Sequence, residues 1–253
     1  MRILGIIQAR MGSSRLPNKV LLDLAGKTVI EHVVARALRA EYLENVIVAT
    51  SIDKNNLPLI KLCADKNISV FVGSEDDVLD RFYQAAKLFN PEHIARITAD
   101  CPVLDPGVVD KVLSTHLNSG ADYTSNTLIP SYPDGLDISV FPFSALEESW
   151  KKATLSSERE HVTPYLRKHQ DIFVHKNVLN DVDDSDRRWT LDEPKDYDFL
   201  TALFNGLFPV NDCFGYQDIL DYLQLYPELE TINSGISRNE GYIKSTENDH
   251  VAK

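Results

Sequence analysis

Between residues 6 and 19 the sequence reads IIQARMGSSRLPNK, and its only charged side chains are cations: Arg10, Arg15 and Lys19. No Asp or Glu precedes Asp23, although the 253-residue chain carries 38 acids against 26 Lys and Arg, a formal charge of -12. Arginine offers a planar fork of donors that matches phosphate oxygens, and lysine a movable point charge. Gly12 allows close approach to the backbone, and Ser13 and Ser14 add hydroxyl and amide donors. Such a loop suits a small, highly charged anion such as a triphosphate. It matches neither GxxxxGK[ST] nor GxGxxG.

A nucleoside triphosphate brings about four negative charges, and its Mg2+ is usually held by one or two carboxylates together with the phosphates. Two acids stand where strands should end. Asp100 lies in RITADCPVLDP, just ahead of Pro102, and Asp192 in RWTLDEP, just ahead of Pro194. Asp is also a common turn former and helix cap, so by residue type alone each position has two readings.

These residues need strand ends to carry them. Short apolar runs at 3–7, 45–50, 69–73 and 93–99 alternate with helical periodicity around Val29–Leu38, Leu59–Ala64 and Val78–Phe89. That alternation predicts an α/β fold with a mostly parallel sheet, whose ligands gather at the carboxyl ends of the strands. The loop from Gln8 leaves the first strand and leads to a helix beginning near Thr28. Over about 120–180 the rhythm becomes mixed: PDGLDISVFPF reads as turn and strand, SALEESWKKA as a helix, and SSEREHVTPYLRKHQ as a helix that Pro164 kinks or starts. RRWTLDEPKDYDFLTALF then reads as a strand followed by a helix. Residues 1–229 are expected to form one domain, with 120–180 as an insertion and the polar residues 230–253 as a flexible tail.

Composition narrows the partners. The acidic balance argues against nucleic acid and anionic membranes, which need a basic footprint. Cys63, Cys101 and Cys213 are odd in number and widely spaced, which suggests neither disulfides nor zinc, and no apolar run suits a membrane span or a signal peptide. A cytoplasmic protein acting on small molecules is expected.

IIQARMGSSRLPNKVL resembles the opening signature of the cytidylyltransferases that include the 3-deoxy-manno-octulosonate and acylneuraminate enzymes, above all their SpsF-like members associated with surface polysaccharides. The likeness extends to Ala99-Asp100-Cys101-Pro102, where the family usually has glycine before the acid, and to the late Asp192-Glu193-Pro194-Lys195-Asp196. It implies a Rossmann-like, three-layer α/β/α fold of the nucleotide-diphospho-sugar transferase type. It also implies transfer of a cytidylyl group from CTP to a sugar, with Mg2+ on Asp100 and Asp192. Arg10, Lys19 and Asp100 are then the catalytic candidates, and Gln8, Ala9, Arg10, Gly12, Ser13, Arg15 and Lys19 the nucleotide-binding ones. Asp80 and Arg81 resemble an acid-arginine pair near the base.

On the acceptor side, YPDGLDISVF and SEREHVTPY resemble family segments and point to Asp137, Glu160 and His161, with Ser139 where the family usually has Glu. The proton acceptor stays open between a metal-bound hydroxide and either Asp. A homodimer in which the second half covers the partner's site is a further expectation. The rival readings are a sugar-1-phosphate nucleotidyltransferase, a glycosyltransferase of similar architecture, for which DCPVLD is a poor DxD motif, and a non-catalytic nucleotide-sugar-binding protein.

Overall fold

Strand β1 (Ile3–Gln8) divides its side chains between two buried clusters: Ile3 and Ile7 enter one, Leu4 and Ile6 the other. A strand apolar on both faces has to be covered on both, which is the condition of a central parallel strand. The computed structural model describes residues 2–238 and 240–252, residue 244 by its backbone alone. A small hairpin, β2 (Asp23–Leu24) with β3 (Lys27–Thr28), stands apart from the main sheet. Strands β4 (Asn45–Ser51), β5 (Val70–Gly73), β6 (His93–Thr98), β7 (Tyr123–Ser125), β8 (Ser139–Pro142) and β9 (His175–Asn177) join β1 in the order β5-β4-β1-β6-β8-β7-β9. Strand β8 runs antiparallel to β6 and β7, and the other pairings are parallel.

Helices α1 (Val29–Ala37), α2 (Leu57–Asp65) and α4 (Pro106–Ser119) cover one face through Ile30, Val33, Leu59, Cys63, Val109 and Val112. Helices α3 (Val78–Phe89) and α5 (Phe143–Lys152) cover the other through Leu79, Phe82, Ala86 and Leu146. The expected three-layer architecture results. Local sequence begins these helices. Thr28 and Glu31 cap α1 reciprocally, Glu31 Oε2 accepting from Thr28 N at 2.8 Å, and Asp77 Oδ1 accepts from Asp80 N at 2.8 Å to open α3.

The second half departs from the expected elements at two places. SSEREHVTPYLRKHQ forms two helices, α6 (Ser156–His161) and α7 (Pro164–Lys168), with Pro164 starting the second. The break falls at Val162, where φ is 69° and Thr163 N donates to His161 O at 2.8 Å. That is the rare three-residue turn with positive φ, and Val162 holds it while fully buried. RRWTL, expected as a strand, pairs only through Arg188 with Asp134: Asp134 N donates to Arg187 O and Trp189 N to Asp134 O. Gly135, at φ 118°, permits this approach, since a Cβ there would lie 2.7 Å from the Trp189 carbonyl carbon. Asp192 therefore stands on an extended segment beside the sheet instead of at a strand end.

Helices α8 (Pro194–Leu207) and α9 (Tyr216–Leu225) build a third cluster around Trp189, Phe199, Phe204 and Phe214. The residues from 230 on, expected as a flexible tail, include α10 (Glu240–Glu247), which lies against α6. Among the described residues no helix is long and apolar enough to cross a membrane.

Candidate active site

After β1 ends at Gln8, the chain does not enter a helix at once. Ala9 N still donates to Ala49 O at 3.1 Å; then Ser13 N and Asn18 N both bond Met11 O, folding residues 11–18 into a compact loop. Asn18 turns it at φ 60°, a value Asn tolerates, and a single 3-10 turn (Lys19–Leu21) follows. A second loop anchors the first: Met11 N donates to Asn56 Oδ1 at 2.8 Å, Asn56 Nδ2 to Ser51 Oγ at 2.6 Å, and Ser51 Oγ to Glu75 Oε2. A Cβ built at Gly12 meets no atom within 4 Å, so space for a ligand lies against that backbone.

The loop forms one wall of a cleft of about 510 Å³. Gln8, Ala9, Arg10, Gly12, Ser13, Arg15, Lys19, Asp100, Glu160, His161 and Asp192 all line it. At its centre Lys19 Nζ donates to Asp100 Oδ2 at 2.8 Å and to Asp192 Oδ1 at 2.7 Å. Arg15 lies 3.2 Å from Asp192 Oδ2 and 3.0 Å from Glu193 Oε1. Arg10 is held more loosely, 3.7 Å from Glu75 and 3.8 Å from Glu160. Burial opposes charge on Lys19, but the two carboxylates outweigh it and its pKa is raised. Burial likewise pushes Asp100 up, and Lys19 more than reverses this, lowering Asp100 to about 2.

A smaller pocket of about 230 Å³ adjoins the cleft and shares Arg15, Arg96, Asp100, His161 and Asp192 with it. Asp137 and Ser139 line this pocket together with Asp134, Tyr123 and Arg167. Burial and the neighbouring Asp137 push Asp134 up to about 7, against the pull of Arg238 and Arg188, and burial raises Asp137 as well. Ser139 Oγ bonds Tyr123 OH at 2.9 Å and Ser125 Oγ at 3.1 Å, so a hydroxyl network occupies the position where the resembled segment usually has Glu.

Asp80 and Arg81 fall outside both spaces. Asp80 Oδ1 accepts from Trp150 Nε1 at 2.8 Å and Gln84 Nε2 at 3.0 Å on the far side of α3. Arg81 is fully buried and donates to the Ser74 and Glu75 carbonyls, which fixes the loop after β5. Neither residue lines the cleft.

The chain matches the cytidylyltransferase family model over residues 4–222, a span that includes the loop, both carboxylates and the segments bearing Asp137, Glu160 and His161. It belongs to the cytidylyltransferase family. It is 37% identical over 96% of its length to the uncharacterized protein MJ1063 of Methanocaldococcus jannaschii, covering 98% of that protein. It is 33% identical over 80% of its length to the spore coat polysaccharide biosynthesis protein SpsF of Bacillus subtilis, covering 86% of it. A cytidylyltransferase structure from Leptospira borgpetersenii superposes with TM-score 0.88 at 30% identity, over 94% of this chain and all of the other. The protein is thus a nucleotidyltransferase, and the sheet described above is the fold of this family.

Several residues around this cytidylyltransferase's site have only faint sequence signals. Arg96 interrupts the apolar run of β6, a charge where the strand is otherwise buried, and its guanidinium faces both spaces. Its Nη2 donates to Gln8 Oε1 at 3.1 Å, its Nε is buried without a hydrogen-bond partner, and burial lowers its pKa. Arg188 joins the site through Asp196: Nε and Nη2 each lie 2.8 Å from one Asp196 oxygen. Asp196 Oδ2 also accepts from Asp192 N and Glu193 N at 2.9 Å, which places the Asp192 backbone. Asp196 closes the Asp192-Glu193-Pro194-Lys195-Asp196 segment already singled out in the sequence, whereas nothing there announces Arg188 as its partner.

Proposed function

We propose that the protein transfers the cytidylyl group of CTP, with Mg2+, to a hydroxyl of a sugar acceptor, giving a CMP-sugar and pyrophosphate for surface-polysaccharide synthesis in the cytoplasm. The observation that carries this reading is the convergence of Asp100 and Asp192 on one cation, Lys19, opposite a loop bearing Arg10 and Arg15. Family membership supplies the cytidylyl chemistry, and the likeness to SpsF favours a polysaccharide pathway.

The residues fit a divalent cation. Two hard carboxylate oxygens already hold a positive charge between them, and the triphosphate and water would complete the remaining ligand positions. When bound there, Mg2+ supplies charge neutralisation and Lewis acidity. Lys19, displaced from its carboxylates, would join Arg10 and Arg15 on the β- and γ-phosphates as these leave. Electrostatic stabilisation of this kind needs donors fixed in advance, which the Met11-Asn56-Ser51-Glu75 chain of hydrogen bonds provides. Asp137, Glu160 and His161 belong to the acceptor side, and Gln8, Ala9, Gly12 and Ser13 to the nucleotide side. In-line attack on the α-phosphorus then depends mainly on positioning across the junction of the two spaces, where Asp100 and Arg96 stand.

The test is thermal unfolding with CTP, UTP, ATP and GTP, each with and without Mg2+. A ligand that binds only the folded chain stabilises it by about 2.7 kcal/mol at a hundredfold excess over Kd. The expected result is a shift largest for CTP with Mg2+. No shift with any triphosphate would refute the cleft as a nucleotide site.

A further inference from the structure

Beyond the residues that the family model matches, Glu240, Gly241 and Tyr242 line the smaller pocket and Gly241 also lines the larger cleft, and the residues on either side of them are tied to the same walls. At one end Arg238 reaches Asp137, which lines the smaller pocket. Its Nη2 donates to Asp137 Oδ1 at 2.5 Å and its Nη1 to Tyr132 O at 3.1 Å, with Nε 3.9 Å from Asp134 Oδ1. In the middle Gly241 faces both spaces, the Tyr242 ring stands edge-on to His161 at 5.2 Å, and Ser245 Oγ donates to Glu160 Oε2 at 2.9 Å. At the far end Asp249 accepts from Ser157 N at 3.0 Å, Ser157 Oγ at 2.8 Å and Ser156 Oγ at 3.0 Å. Ala252 N closes the run by donating to Thr154 O at 2.7 Å.

Two features set this apart from a tail resting on a surface. The Arg238 side chain is only 15% exposed and touches the carboxylate that the acceptor side offers. Helix α6, which presents Glu160 and His161, has Leu155 at its N-cap, a residue with no side-chain acceptor, and the carboxylate that accepts from Ser157 N in its first turn comes from Asp249. Each end of the segment therefore holds a piece of the acceptor side.

We propose that the segment is a strap that completes the acceptor site and keeps water from the nucleotide. Arg238 is a positioning residue that sets Asp137, Asp249 sets α6, and Gly241 with Tyr242 closes the gap beside the α-phosphate. This rests on the reading of the larger cleft as a CTP site. With the strap seated, the acceptor hydroxyl reaches the α-phosphorus in preference to water. With it released, a water oxygen bonds to the α-phosphorus while the bond from that phosphorus to the α–β bridging oxygen breaks. The products are CMP and pyrophosphate, and a water proton passes to solvent. Excluding water from such a centre is a recognised function of closing segments.

The test compares the parent protein with Arg238→Ala/Asp249→Ala, which frees both ends of the strap, and with the single variants Tyr242→Ala and Arg238→Lys. Calorimetry with CTP and Mg2+ gives Kd, and pyrophosphate release without any sugar gives the hydrolysis rate. The double variant should bind CTP within about threefold of the parent and hydrolyse it at least about tenfold faster. Tyr242→Ala should move the same way, and Arg238→Lys, which keeps the cation, should stay near the parent rate. If the parent binds CTP and the double variant and Tyr242→Ala hydrolyse no faster, the strap is refuted and the CTP site stands. If the parent binds no CTP, both readings fall. Should the double variant fail to fold, the hydrolysis rate of Tyr242→Ala decides alone: faster supports the strap, unchanged refutes it.

Discussion

Asp100 and Asp192 share one hydrogen-bond donor: Lys19 Nζ lies 2.8 Å from an oxygen of the first and 2.7 Å from an oxygen of the second. The lysine lies between the two carboxylates proposed above to hold a divalent ion. Replacing Lys19 by Met should leave Asp100 without its ion-pair partner and Asp192 facing only Arg15 and Arg188, and cost about 3 kcal/mol, since the Lys19 side chain is only 12% exposed. Millimolar Mg2+ without nucleotide should recover part of that loss in the variant and do little to the parent. Denaturant melts with and without Mg2+ measure it; an equal Mg2+ effect on both proteins would contradict the shared-cation geometry.

Asp100→Asn keeps the shape of the side chain and removes its charge. Transfer should fall by about two to three orders of magnitude, as for loss of one preorganised charge at a phosphoryl centre, while unfolding remains cooperative. Steady-state pyrophosphate release and a thermal melt on the same preparation separate the two effects. Since Lys19 holds Asp100 near 2 in the folded chain, below its ordinary 3.8, the stability this pair contributes is full above about pH 4 and is lost as the pH falls towards 2.

Arg188 and Asp196 form a bidentate pair with Asp196 fully buried, and Asp196 also accepts from the Asp192 and Glu193 backbone. Asp196→Ala removes the fork's two closest bonds, leaves Arg188 paired with Asp134 at 3.1 Å, and should cost about 3 kcal/mol. Arg188→Lys cannot reproduce two parallel bonds and should lose part of that stability. Urea unfolding midpoints at constant slope test both variants.

His116 is buried between Thr124 Oγ1 at 2.9 Å and His93 Nδ1 at 3.0 Å, and burial with His93 nearby depresses its pKa to about 4. A base depressed in the folded state stabilises only while neutral. Its contribution is therefore full above the unfolded value near 6.5 and disappears as the pH falls from 6.5 to 4, by about 3 kcal/mol in total. His116→Gln should flatten that part of the stability-pH curve. A parent protein with no loss of stability between pH 6.5 and 4 would count against the assignment.

Much of the fold is legible in the sequence because the central strands are apolar on both faces and their return helices are strongly periodic. The four runs beginning at Ile3, Asn45, residue 69 and His93 correspond to β1, β4, β5 and β6 to within a residue or two. The loop of Arg10, Arg15 and Lys19 stands out in the sequence as a cationic cluster in an acidic chain, and in the structure all three line one cleft. The segment around Arg188 departs from its expected strand because WTL alternates like one while its hydrogen bonds are divided: Trp189 N donates to Asp134 O in the glycine-bearing turn, and Leu191 N and Thr190 Oγ1 donate to Asp100 O. Asp80 and Arg81 depart from their expected place because the order of residues along a helix does not say which face meets the ligand. Trp150 and the carbonyls of Ser74 and Glu75 claim that pair.

By itself the sequence determined what local chemistry can determine: strand and helix periods, the helix caps at Thr28 and Asp77, and which side chains carry charge suited to a triphosphate. Tertiary structure alone decided that Lys19 would bridge Asp100 and Asp192, that Arg96 would face two spaces at once, and that a polar terminus would bring Arg238 to Asp137 and Asp249 to α6. The physical reason is range. Periodicity and capping act over a few residues and are written along the chain, whereas an ion pair depends on which distant segments the packed sheet brings within a few ångströms, and no spacing along the chain encodes that distance.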